Sequence, residues 1–477
     1  MTVRTWYPAL VLGAVAGALA VGYAASVSPS FALMLVVALF AVALFVLSSR
    51  GALLALVFLT FFEDLLPDLA GGVSAIKLVG ALVIGSWVLK RLVNSREAAP
   101  AFGLLEIFML AFTGALLVSM VGVTDGATAR SFILRYVMFF ALAILVADQV
   151  RSLDDAEQLA GAVVAAATAS AGVGIWYLLF GGEYRAQGPL GDPNDLAFAL
   201  SFGVMIGFFL MVRKKGLSRL LLVVALAVMA GGVAATLSRG ALAGIAAGVL
   251  WGVLLGRVRV RYLMLGLLAV CLVVGAVYAA NPERISFAVG MKQGYGDTTV
   301  NQRFDRWYVA LRMFASEPVT GVGVGHYGVL YEQYGGVRFV GEAAGSAHHV
   351  AHNMYLEVLA ETGLLGFVPF MALMSLGLWY SVDSSRRLQR RERLEEGTDP
   401  DDGRSVARLL ALADGSSAAM VTLLVASLFL TEQYFAPLWI LLGLVMGLNR
   451  LAVGAGAGEQ PDAVHVPAHD PAKWAPW

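Results

Sequence analysis

Three of the chain's six histidines fall within five positions, at His348, His349 and His352 of the run HHVAHNMYLEVLAETG. Two kinds of chemistry gather imidazoles in this way. His348 and His352 stand at i and i+4, the spacing of two zinc ligands on one helical face, but His349 occupies the place that glutamate takes in HExxH. No third ligand is evident from spacing, and no metal or other cofactor is expected. The alternative is proton transfer: a neutral imidazole with an ordinary pKa of about 6.5 is well suited to accept a proton at ambient pH. A helix beginning here would put His352, Leu356, Leu359 and Gly363 on one face, with the imidazole at its mouth. A third possibility is a simple polar cap, a role that Asn353 also fits.

Arginines supply the second set of candidates: Arg239 in TLSRGALAG, Arg303 in NQRFDRW, and Arg185 in GEYRAQGPLGDPND, with Arg306 one helical turn beyond Arg303. Arg239 lies between two apolar runs, where it is either a snorkelling anchor reaching headgroups or a retained functional charge. Arg303 and Arg306 fit an amphipathic helix equally as a solvated face or as an anion site. Guanidinium groups, a histidine base and no evident metal ligands together suit a reaction with a phosphate or pyrophosphate leaving group and a hydroxyl nucleophile. The guanidiniums would then supply the charge compensation that a divalent cation gives elsewhere.

The elements that position these residues follow from composition. With 59% hydrophobic and 14% charged residues over 477 positions, the chain reads as a polytopic membrane protein. Its formal net charge of zero gives no electrostatic argument for nucleic acid, which is not expected as a partner. The single cysteine, Cys271, lies in an apolar run and rules out an internal disulfide. The first apolar stretch resembles a signal peptide but is long and followed at once by another, so it is expected to be an anchor. Stretches long enough to cross a bilayer are expected near 8–26, 30–48, 51–66, 73–90, 103–121, 131–148, 158–180, 195–212, 218–236, 240–256, 261–280, 357–382, 408–430 and 435–452.

Basic clusters at Arg50, at Lys90, Arg91 and Arg96, at Arg151, at 213–219, 257–261 and 386–393, and at Arg450 fall in alternate loops. By the positive-inside rule both termini are then cytoplasmic and segment 281–356 lies outside. Four regions are expected: membrane helices in 1–280, a large periplasmic loop carrying short helices in 281–356, membrane helices in 357–452, and a disordered cytoplasmic tail in 453–477. Outside the cytoplasm there is no nucleotide-sugar pool, so a glycosyl donor must arrive attached to a lipid, which points to polyprenyl-pyrophosphate sugars.

The run RFDRWYVALRMFASEPVTGVGVGHYG, followed by AHNMYLEVLAETGLLGF, resembles the signature of the O-antigen ligase and polymerase superfamily. The pattern is R-x-x-x-W, a proline, G-x-G-x-G and then H-N-x-Y-L-E-x-x-x-E-x-G-x-x-G. LSRGA (237–241) is similar to the family's upstream Ser-Arg element and GPLGDPNDLA (188–197) to its proline-asparagine segment, which brings in Asn194. The resemblance implies an all-α bundle of about 12 to 14 spans, GT-C-like, in the bacterial inner membrane with its active site facing the periplasm. It also implies an inverting, metal-independent glycosyltransferase that moves an undecaprenyl-pyrophosphate-linked glycan to a hydroxyl of lipid A core, a growing glycan or a protein, amid membrane lipids. By similarity, His352 would activate the acceptor hydroxyl while Arg239 and Arg303 hold the donor pyrophosphate, with Arg306 as an alternative to Arg303. His348 and His349 are candidates for tuning the base or binding sugar hydroxyls. Tyr327, Tyr331, Tyr334 and Tyr355 are candidates for sugar stacking or for packing. Chain polymerase is the alternative within the superfamily, and transporter or anion-binding scaffold the alternatives outside it.

Overall fold

A computed structural model describes residues 49–65, 74–93, 102–121, 123–258, 271–272, 275–276, 278–279, 281–294, 296–335, 349–394 and 400–456. The expected spans at 8–26 and 30–48, most of 261–280, His348 and the tail beyond Gly456 lie outside them, while the first four residues of the expected tail continue the last helix. The described helices are α1 (Ser49–Leu59), α2 (Ala75–Val93), α3 (Leu104–Ser119), α4 (Gly126–Gln149), α5 (Leu153–Phe180), α6 (Pro193–Arg213), α7 (Gly216–Thr236) and α8 (Arg239–Leu254). After them come α9 (Pro282–Gly294), α10 (Gly296–Ser316), α11 (Tyr327–Gly335), α12 (Met354–Leu394), α13 (Pro400–Ala426) and α14 (Ala436–Gly456). Seven of them are long and apolar enough to cross a membrane, and α3 and α8 are shorter apolar helices. The protein is an all-α polytopic membrane protein.

Helices α6, α13 and α14 form the centre and are mostly buried, whereas α7 is mostly uncovered and faces outward. The two ends of the bundle differ in chemistry. Arg91, Arg213, Arg257, Arg408 and Arg450 all lie at one end, where they pair with Asp148, Glu392, Asp414, Glu157 and Glu106. This gathers the alternate basic loops of the sequence on one side. His352 and the 181–192 and 427–435 turns lie at the other.

At that second end, α10 and α11 build a small core of their own on the start of α12, in which Val309, Ala310 and Met313 meet Tyr327, Tyr331, Ala351 and Ala360. Its framework is a break in α12. Gly363 has φ 58 and ψ −163, a conformation open in practice only to glycine. The break frees backbone groups on both sides of it, and the 318–323 segment satisfies them. Leu364 and Leu365 N–H donate to the Pro318 and Val319 carbonyls at 2.9 and 3.0 Å, while Val322 and Gly323 N–H donate to Ala360 and Glu361 at 3.0 Å each. Gly321, Gly323 and Gly325 all take positive φ here, which explains the alternating glycines of the sequence. The expected single span at 357–382 is thus a short outer piece joined through Gly363 to the long one. Gly363→Ala should cost about 3 kcal/mol or more, because strain of this class adds to a Cβ that would collide with the Val319 carbonyl. Thermal unfolding in detergent checks this; an unchanged transition would show that the break is dispensable.

Candidate active site

His352 is not on the helix. It precedes α12 with φ 49, and Asn353 takes the cap position, its Oδ1 accepting from Leu356 N at 3.0 Å. The expected shared face with Leu356, Leu359 and Gly363 is therefore replaced by a left-handed residue whose direction is set by its own backbone. Met354 N–H donates to the Ser427 and Leu430 carbonyls, both at 3.0 Å, and so ties this corner to the α13–α14 turn. Among the described residues only one other non-glycine has positive φ: Leu237 at 53, two positions before Arg239. Strained backbone of this kind persists only where the surroundings enforce it, and both instances flank candidate site residues.

Arg239 opens α8 and is exposed. Its neighbour Ser238 is buried and donates to Asn194 Oδ1 at 3.2 Å. The same oxygen accepts from Arg185 at 3.3 Å, and Arg185 Nε donates to the Thr236 carbonyl at 2.7 Å. Asn194 is thus the joint between the 181–192 turn, α6 and the α7–α8 turn. From the other side, α10 presents Arg303, Arg306 and Trp307 at i, i+3 and i+4. Arg306 donates to the Val350 carbonyl at 3.4 Å, beside His352. The Arg303 and Arg306 Nε atoms and Trp307 Nε1 are buried without a hydrogen-bond partner. Such donors are costly to leave unmet, so they mark a place prepared for an acceptor.

Electrostatics shows that these groups converge. Burial lowers the pKa of Arg303, and the positive fields of Arg306, Arg185 and Arg239 lower it further. Arg185 is lowered chiefly by burial. His352 is pushed down to about 3, by burial first and then by Arg306, Arg303 and Arg185. The imidazole is therefore neutral at working pH, among guanidiniums that keep their charge. Among the described residues no carboxylate forms an ion pair with any of the four arginines. This contrasts with the opposite end of the bundle, where cations are paired.

The remaining sequence candidates lie elsewhere. Tyr355 donates to the Leu424 carbonyl at 2.7 Å, which anchors α12 on α13. Tyr327 and Tyr331 are 1% and 2% exposed and are packing residues, with the Tyr327 hydroxyl donating to the Arg306 carbonyl at 2.8 Å. Tyr334 pairs its hydroxyl with Ser316 at 2.9 Å. His349 stacks on Tyr331 with ring centroids 4.3 Å apart. His326 is structural: its Nε2 accepts from Asp125 N at 3.2 Å, and its Nδ1 lies 3.0 Å from the Val324 carbonyl. Among the described residues no three His, Cys, Asp or Glu side chains are grouped as a metal site.

Residues 224–371 match the family model for O-antigen ligase. Over that segment the chain is similar to the O-antigen ligase family. No curated protein matches it. The ligase segment runs from α7 to just beyond the Gly363 break and contains Arg239, Arg303, Arg306, Trp307 and His352. Arg185 and Asn194 lie outside it and join the ligase residues only through the fold. The family is one of membrane glycosyltransferase-like enzymes of the O-antigen pathway, acting on lipid-linked glycan and acceptor substrates.

Proposed function

We propose that the protein transfers a glycan from undecaprenyl pyrophosphate to an acceptor hydroxyl, as a ligase, on the outer face of the inner membrane. The observation that carries this is an imidazole depressed by burial and by the fields of Arg306, Arg303 and Arg185, with Arg239 acting in turn on Arg303, while among the described residues no carboxylate is ion-paired to any of the four. The unprotonated ring nitrogen of His352 takes the acceptor O–H proton while that oxygen attacks the anomeric carbon from the side opposite the pyrophosphate. The anomeric C–O bond breaks, and its electron pair leaves on the pyrophosphate. Arg239 and Arg303, assisted by Arg185 and Arg306, meet the charge that develops there. Attack from the opposite side inverts the anomeric configuration.

The test is purified protein with undecaprenyl-pyrophosphate oligosaccharide and a panel of acceptors in EDTA. Expected is release of undecaprenyl pyrophosphate matched by inverted glycan on the acceptor. Retained configuration would sink the single displacement, and activity lost to chelator but restored by one divalent metal would replace the arginine account.

A pH dependence follows from the His352 field. In the free protein the imidazole stays neutral down to about 3, so kcat/KM for the donor should show no acid limb at about pH 6.5. Bound pyrophosphate offsets the guanidinium field and raises the imidazole pKa, so the acid limb of kcat should lie at higher pH than that of kcat/KM. The same depression acts on stability. Below about pH 6.5 the unfolded chain protonates this histidine before the native one does, so its contribution to stability falls with pH until the native group also titrates. Coincident limbs at about 6.5 in both profiles would show that the arginines do not act on His352.

A further inference from the structure

Two carboxyl groups one helical turn apart, Glu357 and Glu361, are each 3% exposed at the start of α12. Buried carboxylates in an apolar helix are costly and stay only where several donors satisfy them. Glu361 accepts from Tyr327 N at 3.1 Å and from the Tyr434 hydroxyl at 2.7 Å, which fastens the glycine turn to the 427–435 segment. Glu357 does something different. Its Oε2 accepts from Ala351 N at 2.7 Å and from Thr431 Oγ1 at 3.1 Å, and its Oε1 accepts from Gln433 Nε2 at 3.0 Å.

Ala351 is the residue immediately before His352. The left-handed His352 is thus bracketed by two anchors to one turn: through Glu357 to Thr431 and Gln433 on one side, and through Met354 N–H to Ser427 and Leu430 on the other. Removing the first anchor frees the only strained residue of the corner on its N-terminal side. We propose that Glu357 is a positioning residue, whose carboxyl holds the Ala351–His352 backbone so that the imidazole faces the arginine group. This rests on the glycosyl-transfer reading above.

The geometry supplies a discriminating variant. Gln433 Oε1 is buried without a partner while its Nε2 serves Glu357. In Glu357→Gln the new amide can keep its oxygen on Ala351 N and Thr431, and a flip of the Gln433 amide turns its idle oxygen toward the new N–H. The clamp then survives without a carboxylate. Glu357→Ala removes the acceptor altogether.

The experiment is donor-dependent release of undecaprenyl pyrophosphate, with kcat and KM for the donor per folded molecule, and thermal melting in detergent, for wild type, Glu357→Ala, Glu357→Gln and His352→Asn. Expected is a fall in kcat of about 100-fold in Glu357→Ala with donor KM changed by less than about threefold, and Glu357→Gln within about threefold of wild type. A lowered melting temperature with kcat per folded molecule unchanged would make Glu357 merely structural and overturn the proposal. So would a folded Glu357→Gln as inactive as His352→Asn, since the charge and not the geometry would then act; this outcome decides the matter even if Glu357→Ala does not fold. Full turnover in His352→Asn would remove His352 as the base of the transfer and this proposal with it. Loss there beside a fully active Glu357→Ala would remove only the positioning role.

Discussion

Replacing His352 with asparagine is expected to lower glycan transfer by about 10²- to 10⁴-fold, the range that a positioned general base contributes. Asparagine is the informative choice because the backbone at this position has φ 49, which asparagine tolerates better than alanine does. The variant keeps the corner's shape and removes only the ring nitrogen. Donor affinity should survive, since the pyrophosphate is held by guanidiniums and not by the imidazole. Single-turnover release of undecaprenyl pyrophosphate, set beside equilibrium binding of the donor, separates the two quantities. Undiminished release would show that the acceptor proton goes elsewhere, and lost donor binding with normal release at saturation would move His352 from base to ligand.

How much of this was legible in the sequence varies with the range of the interaction. Apolar stretches located the helices that build the bundle, from α2 at Ala75–Val93 to α14 at Ala436–Gly456, because each is decided by its own twenty or so residues. The break at Gly363 was not legible, since a glycine in an apolar run looks the same whether or not a distant segment such as 318–323 takes over its backbone hydrogen bonds. His352 was singled out by residue type but expected on the helix, whereas Asn353 takes the cap and His352 precedes it. The Asn194 joint depends on residues as far apart as Arg185 and Thr236, a closure that only the fold reveals. Glu357 and Glu361 did leave a signal: two acids at i and i+4 entering an apolar helix demand buried donors. In the sequence they stood only as letters of a pattern. Trp307 likewise read as an apolar position, although its indole N–H is among the unmet donors.

Arg303→Ala should weaken donor binding by about 10- to 100-fold, the worth of a hydrogen bond to a charged group that is partly removed from water. Arg239→Ala should cost less, because Arg239 is exposed and its field is screened, whereas Arg303 is partly buried and carries an unmet Nε–H. The two losses should not add, since both guanidiniums address the same pyrophosphate. Arg303→Lys should recover only part of the affinity, because an ammonium supplies charge but not the planar fork. Arg312, on the same helix, donates to the Tyr334 carbonyl at 2.7 Å, and Arg312→Ala should leave donor affinity unchanged. A second readout ties the anion site to the base. His352 is held down partly by Arg303, so Arg303→Ala should also move the acid limb of kcat/KM upward, toward the ordinary imidazole range. Wild-type donor affinity in both Arg303→Ala and Arg239→Ala would remove the anion clamp. Weakened affinity with an unmoved acid limb would keep the clamp but separate Arg303 from the imidazole, leaving burial and Arg306 to account for the neutral base.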